Sequence, residues 1–341
     1  MECSRLPHMN PSFAEVEPGE SRLGTMPVPA AEGARVVTPD ELGLKFGAWE
    51  IFQHPRFVDV YARHFGWSVL VEHGVVVFAR RVPGLGLLRT QVYAPEAGGG
   101  ADWHRILTDL PTGRIEVMTN APTPPSVATP VSPPDLHSFI VDLRAGAAAL
   151  FDGLDTRTRK AIRKGERENL TVRITDDPRD LARFHEVLWR VTEGGVVYAA
   201  PDAGLLLAIM RAGFARLYVI EYNGQVVGGL VLLVNRYSHG YVSAFDRHAC
   251  KGLPGHLLYW KAIEGEIAAG MPFLDLGAQR LSAHPGVTKV KLGFSPSLVP
   301  AFRYELAVSR WRASIGDAWR WLRHPRAPAL PAPTTAREVT D

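Results

Sequence analysis

The chain has 341 residues, of which 46% are hydrophobic and 21% charged, with a formal net charge of +3. That composition supplies enough apolar material for about two packed domains and excludes wholesale disorder. It leaves too little net charge to announce a nucleic-acid partner unless the positive charge is locally concentrated.

The two cysteines, Cys3 and Cys250, exclude a cysteine-rich metal site and argue against a structural disulfide. The longest apolar run, Val226 to Val234, is far short of a membrane span. The first residues carry acids early and lack an apolar stretch followed by a small-residue cleavage site, unlike a signal peptide. The expectation is a cytoplasmic protein without a transmembrane segment, whose contact with any membrane-bound substrate would be peripheral.

In chain order, residues 1–40 are rich in Pro, Gly, Glu and Ala without sustained periodicity and read as a disordered leader. A first module is expected over residues 41–143. His54-Pro55 opens a helix with proline in its first turn, Phe57, Val58, Tyr61, Ala62 and Phe65 fall on one face, and Gly66 stops it. Trp67–Glu72 and Val75–Arg80 form a hairpin around His73-Gly74, and Leu87–Tyr93 a third strand. Trp103–Leu110 reads as a short helix and Arg114–Thr119 as a strand. The proline-dense stretch from Pro122 to Pro134 interrupts regular structure, and Ser138–Leu143 resumes as a strand.

A second module is expected over residues 144–323. Phe151–Glu168 reads as one cation-loaded helix, and Leu170–Thr175 as a strand. Asp177 and Pro178 begin a helix whose buried stripe is Leu181, Phe184, Leu188 and Val191. Pro201 opens another helix, closed by Gly213. Leu217–Tyr222 and Gln225–Val234 are joined by Asn223-Gly224, a strong hairpin signal, and Gly228-Gly229 marks a bulge or a close backbone approach. Gly240–Phe245 is a strand, Pro254–Gly270 a helix, Pro272–Leu276 a strand, Gly286–Gly293 a short helix and Phe302–Val308 a final strand. Trp311, Ile315, Trp319 and Leu322 stripe a last helix, and residues 324–341, rich in Pro and Ala, read as a disordered tail.

The order of elements in the second module resembles that of the GNAT acyltransferases, and four blocks resemble their Fem-type and BioF2-like branch, the relatives of the peptidoglycan bridge aminoacyltransferases. Arg157-Thr158-Arg159-Lys160-Ala161-Ile162-Arg163-Lys164 is similar to the family's "RR-x-I-R-K-A" helix. Pro254 to Ile263 is similar to its "P-x-x-L-L-x-W-x-x-I" helix, and Phe273-Leu274-Asp275-Leu276-Gly277 to its "F-D-L-G" strand. Gly286-Val287, Lys291, Gly293 and Phe294 resemble its "G-V-x-x-F-K-x-x-F-G" segment, with Val290 in place of the usual Phe and the glycine before Phe294 instead of after it. The first module resembles a degenerate first repeat. The implied fold is α/β (α+β): tandem GNAT-like modules with mixed, mostly antiparallel sheets flanked by helices.

The resemblance implies direct acyl transfer from an activated carbonyl to an amine, with no tightly bound cofactor. The donor is aminoacyl-tRNA on one reading and acyl-CoA on the other; a non-catalytic binding module is the third. The acceptor is an amine, expected on a cell-wall precursor or secondary metabolite, nucleotide-linked carriers included. Lys291 is the candidate for the oxyanion or leaving-group side, since a compact ammonium meets growing negative charge and donates a proton. Lys289 lies on a different helical face and serves as its control. Asp275, where the fifth GNAT strand leaves the fourth, and Asp246, at the end of the preceding strand, are competing acids for the incoming amine; a capping or salt-bridge role at a strand end is the plainer reading for Asp275. Arg247-His248-Ala249-Cys250-Lys251-Gly252 keeps part of the superfamily's pyrophosphate loop, so Arg247, Lys251, Gly252 and Gly255 are candidate phosphate contacts at a helix N-terminus. Arg159, Lys160, Arg163 and Lys164 are candidate contacts to a phosphate-bearing substrate, against the plainer reading of a solvated charged face. Trp260 is expected in the core and His185 at a rim. The histidines lack ligand spacing with acids, and no metal is expected.

Overall fold

The computed structural model describes residues 35–36, 50–72, 75–81, 88–93, 112–119, 129–130, 136–192, 200–246, 248–250, 254–281, 285–295 and 297–307. The expected leader and tail, the helices at Trp103–Leu110 and Trp311–Leu322, and most of the proline-dense stretch lie outside the described residues.

The strands are β1 (Arg35–Val36), β2 (Ser68–Glu72), β3 (Val75–Arg81), β4 (Leu88–Tyr93), β5 (Thr112–Thr119), β6 (Thr129–Pro130) and β7 (Leu136–Asp142), followed by β8 (Leu170–Thr175), β9 (Ala215–Tyr222), β10 (Gln225–Val234) and β11 (Ser238–Phe245). The series ends with β12 (Phe273–Asp275), β13 (Gln279–Arg280), β14 (Ser297–Pro300) and β15 (Phe302–Ala307). The helices are α1 (Pro55–Phe65), α2 (Gly146–Gly153), α3 (Thr156–Arg167), α4 (Pro178–Val191), α5 (Ala203–Arg211), α6 (Pro254–Ala268) and α7 (Pro285–Leu292).

Among the described residues the strands form two mixed sheets. The smaller runs β2-β3-β4-β5-β15-β6, and the larger runs β1-β14-β7-β12-β11-β10-β9-β8, with β13 also paired to β7. The chain-order division at residue 143 is therefore not a division between sheets. Strand β7, from the first half of the chain, lies between β12 and β14 of the larger sheet, antiparallel to both. Strand β15, from the second half, joins the smaller sheet beside β5 and β6. The two exchanged segments meet where they change sheets: the Ala301 N–H donates to the Leu136 carbonyl at 3.0 Å, and Leu136, Ala278 and Ala301 pack together.

One face of the larger sheet packs on α1, α4 and α5. Phe57 and Tyr61 of α1 share a core with Phe184 and Leu188 of α4 and with Leu205 and Ile209 of α5. A helix of the first half is thus buried against the second half by apolar area removed from water. The other face packs on α3 and α6 through Ile162, Leu257, Leu258 and Trp260, and Trp260 meets Phe151 with ring centroids 5.0 Å apart.

Local chemistry explains where sequence expectation and structure differ. The single helix expected over Phe151–Glu168 is two, because Asp155 turns its carboxylate onto the Thr158 N–H at 2.7 Å and begins a new helix. Asp202, not Pro201, caps α5. On α4, Val187 joins Leu181, Phe184 and Leu188 in the buried stripe, whereas Val191, the last helical residue, is exposed. The short strands β13 and β14 carry too few residues for a periodic signal. Other expectations hold in detail: Gly66 caps α1 in the left-handed region, Asp177 caps α4, and Asn223-Gly224 turns the β9–β10 hairpin with φ of 51° and 74°.

The glycine pair on β10 has both properties its sequence suggested. The register shifts between Val226 and Gly228, and a Cβ on Gly228 would lie 2.7 Å from the Ala244 carbonyl oxygen. Backbone cannot yield as a flexible side chain does. Gly228→Ala is therefore expected to destabilise the protein by about 1–3 kcal/mol, measured by urea unfolding; an unchanged midpoint would refute the packing argument.

Candidate functional site

The centre of the larger sheet contains a divergence. Strand β10 pairs with β11 along the latter's whole length, whereas β11 and β12 run parallel and pair only at Ser238–Leu274 and His239–Asp275. Beyond those pairs the chain turns at Gly277, which sits at φ +89°, and a Cβ there would lie 2.7 Å from the Gly240 carbonyl oxygen. Only glycine satisfies both the backbone angle and the approach. The chain then leaves β11 and pairs with β7 through β13.

Lys291 reaches this corner from α7. Its side chain is 7% exposed, and its Nζ donates to the Gly277 carbonyl at 3.0 Å and lies 5.4 Å from the centroid of the Phe139 ring on β7. Burial disfavours the ammonium and pulls the lysine down to about 8, with the negative charge of Asp275 acting in the opposite sense. Lys289, two residues earlier, is exposed. Helix α7 is held by the Gln279 side-chain amide donating to Thr288 Oγ1 at 2.8 Å. Its end is held by Ser295, whose hydroxyl donates to the Ile140 carbonyl at 2.7 Å. The displaced glycine of the sequence motif has a local reason: a Cβ on Gly293 would fall 2.4 Å from Thr158 Oγ1 of α3.

Asp275 is fully buried at the end of β12. One carboxylate oxygen accepts the Gly277 N–H at 2.7 Å, and the other is 3.0 Å from Nδ1 of His239. Asp275 is thus part of the same corner as Lys291. Asp246 is not: it directly follows β11, seven residues from His239, roughly 23 Å away along an extended chain. Its carboxylate accepts from the backbone of His248 at 2.9 Å and of Ala249 at 3.2 Å, and from Arg190 at 2.8 Å. These interactions, the His248 N–H foremost, hold it below the usual carboxylate range. It shapes the start of the loop that leads to α6.

Arg247, Lys251 and Gly252 of that loop lie outside the described residues. Gly255 is buried in the first turn of α6, where a Cβ would lie 2.7 Å from Cζ of Phe245; its missing side chain makes room for that ring.

The cationic helix α3 divides into two sides. Arg157, Lys160 and Lys164, with Thr156, Ala161 and His256 of α6, line an open cavity of about 500 Å³. Arg159 instead donates to the Asp152 carbonyl at 2.6 Å, and the Arg163 guanidinium lies 5.6 Å from the Phe151 ring centroid. Of the four cations expected to bind substrate, Lys160 and Lys164 face the cavity, while Arg159 and Arg163 brace α3 against α2. Arg157 was legible, since 157, 160, 161 and 164 repeat at helical spacing. His239 and His256 carried no local signal, because strand and helix pairing bring them in.

Other features are structural. Glu266, buried near the end of α6, accepts from Tyr218 at 2.7 Å and also from Ser238 and Arg216, tying α6 to β9 and β11. His185 bonds the Pro201 carbonyl at 3.0 Å through Nε2. Among the described residues, no group of three or more His, Cys, Asp or Glu is placed to hold a metal ion, and no helix is long and apolar enough to cross a membrane.

Comparison with known proteins bears on this geometry. Residues 155–284 match the family model described as an acetyltransferase (GNAT) domain. No curated protein matches the chain. Among solved structures, FemX is similar at 12% identity with a TM-score of 0.57, covering 77% of this chain and 93% of its own. The C-terminal domain of a putative lysylphosphatidylglycerol synthetase from Agrobacterium fabrum is similar at 15% identity with a TM-score of 0.52, covering 79% of this chain and 96% of its own. A conserved protein of unknown function from Bacteroides thetaiotaomicron gives 11% identity, a TM-score of 0.53 and coverage of 76% and 91%. At such identities the likeness is one of fold. Residues 155–284 thus match a GNAT acetyltransferase domain, and the chain as a whole has a fold like that of FemX.

Proposed function

We propose that this chain is an N-acyltransferase of the Fem-like type, moving an aminoacyl group from aminoacyl-tRNA to an amine of a cell-wall precursor or secondary metabolite. The observation that carries the reading is Lys291, a lysine brought down to about 8 by burial beside the divergence of β11 and β12. In the reaction the acceptor amine attacks the ester carbonyl, and a C–N bond forms as charge builds on the carbonyl oxygen. The C–O bond to the ribose then breaks. The amine loses a proton and the leaving oxygen takes one. A Lys291 ammonium of lowered pKa offsets the developing charge and gives up its proton more readily than an exposed lysine. An α-amine of pKa near 8 is partly neutral at physiological pH, so the acceptor needs no strong base.

The cavity between α3 and α6 supports a phosphate-bearing donor, with Arg157, Lys160 and Lys164 facing the first turn of a helix. The fold shared with a putative lysylphosphatidylglycerol synthetase, whose name describes attachment of a lysyl group, favours an aminoacyl donor. The match to an acetyltransferase model keeps acyl-CoA as the second reading. Incubation with charged tRNA or acyl-CoA and amine acceptors, following release of free tRNA or free CoA, separates the two. RNase-sensitive activity is expected, and turnover of acyl-CoA without RNA would replace the first reading with the second.

Lys291→Ala is expected to lower kcat by about 10²–10³-fold, whereas Lys289→Ala leaves it unchanged; equal rates for Lys291→Ala and the parent would remove the lysine from the mechanism. Because the acceptor must be neutral and Lys291 an ammonium, the parent's rate should pass through a maximum near pH 8 and fall above it.

The same burial carries a stability cost. A lysine at about 8 in the fold and 10.5 when exposed binds fewer protons folded than unfolded between those values, so stability rises with pH across that window. Below it, the fold bears a penalty of roughly 3 kcal/mol. Lys291→Met, though inactive, should melt no lower than the parent at pH 7, and its relative stability should decline toward pH 10.5. A Met variant clearly less stable at pH 7 would contradict this.

Charge reversal tests the cavity. Lys160→Glu with Lys164→Glu should raise KM for the donor at least about tenfold and flatten its salt dependence. Arg163→Glu, on the other side of α3, should leave both unchanged. Equal effects from the two sides would make the charge a general field.

A further inference from the structure

Resting on the role proposed for Lys291, we infer that His239 is a positioning residue of the reaction, holding the Asp275 carboxylate so that the Gly277 carbonyl is presented to the Lys291 ammonium.

The connection is a chain of three contacts. His239 Nδ1 lies 3.0 Å from Asp275 Oδ2. The other Asp275 oxygen accepts the Gly277 N–H at 2.7 Å, closing a two-residue side-chain turn. The Gly277 carbonyl accepts from Lys291 Nζ at 3.0 Å. With His239 Nδ1 as the donor, both Asp275 oxygens are engaged. His239 and Asp275 are buried, and they occupy the last paired position of β11 and β12 before the strands diverge. The histidine therefore acts at the last rung that joins the two strands before they diverge.

The consequence concerns one rotamer. Without its partner on Oδ2, the carboxylate is free to rotate away from the Gly277 N–H. The left-handed turn at Gly277 then loses its side-chain brace, and the carbonyl loses its aim. A buried ammonium deprived of an acceptor is disfavoured. Around Lys291, β12 contributes Asp275 and β11 contributes His239 behind it. Strand β7 presents the uncharged Phe139 ring, and α7's own Lys289 is exposed. Asp275 is thus the negative charge that opposes the effect of burial on Lys291, and His239 sets its placement.

The test reads Lys291 directly. The chain has seven lysines, so NMR of protein labelled at lysine Cε follows each through a pH titration. His239→Leu, which removes the donor, is expected to shift the Lys291 midpoint downward by about one pH unit and to lower kcat at least about tenfold with little change in KM. His239→Asn places an amide N–H near the position of Nδ1 and should restore the midpoint and most of the rate. An unmoved Lys291 midpoint in folded His239→Leu overturns the proposal, even if activity is lost. Should His239→Leu fail to fold, the parent protein still decides. A downfield Nδ1–H resonance assigned to His239 and lost in Asp275→Asn is expected, and its absence overturns the proposal. If Lys291→Ala retains activity, the catalytic reading fails while the titration still reports on positioning.

Discussion

Strand β7 is the constraint on which the rest of this structure depends. It comes from the first half of the chain and fills the slot between β12 and β14 of the larger sheet. Ile140 pairs with Asp275 on one side and with Ser297 on the other. The Phe139 ring lies beside Lys291, and the Phe139 carbonyl accepts the Leu276 N–H at 2.8 Å. The Ile140 carbonyl anchors Ser295 just after α7. Each element that places the lysine is thus bonded to β7 or to a strand that β7 aligns. The smaller sheet, completed by β15, is the reciprocal half of the same arrangement.

The site combines two electrostatic environments. In the corner of β11, β12 and α7, charge is scarce and buried, and individual groups are held by specific hydrogen bonds. Along α3, charge is dense and open to the cavity. A phosphate-bearing substrate requires the second environment for attraction, where cations remain hydrated and charged at low cost. Acyl transfer requires the first, where few dipoles act at low dielectric and each is worth more. Thr158 links the two, with its N–H and hydroxyl on Asp155 and its side chain against Gly293 at the end of α7.

What the sequence made legible follows from the range of the interaction concerned. Asp177-Pro178, Asn223-Gly224 and Gly66 act within a turn or two, and each marked its boundary correctly. The Gly228-Gly229 pair announced a crowded backbone before the crowding atoms were known. Lys291 and Asp275 were singled out through motif blocks, and they proved to share one corner. Asp246 was equally plausible as an isolated acid, and only the run of β11 separates it from that corner. Long-range pairing was hidden. The exchange of β7 and β15 leaves no mark in periodicity, because a strand reads the same whichever sheet it joins. His239 looked like any strand histidine until the register with β12 set it opposite Asp275. The two sides of α3 lie between these cases: the sequence put Arg159, Lys160, Arg163 and Lys164 together as substrate contacts, but only the packing of α2 and α6 decides which side faces open space.

The meeting of Leu136 and Ala301 has a consequence for how this protein can be taken apart. A fragment beginning at residue 144 would leave β12 and β14 facing each other across a gap one strand wide, with unpaired N–H and C=O groups on both borders. Such a gap is a template for any extended segment. The fragment would recruit a foreign strand or a neighbour's edge, and adding back a peptide spanning residues 136–142 would compete for that slot. In this chain the natural unit of dissection is the sheet rather than the contiguous half, and each sheet needs a piece of both.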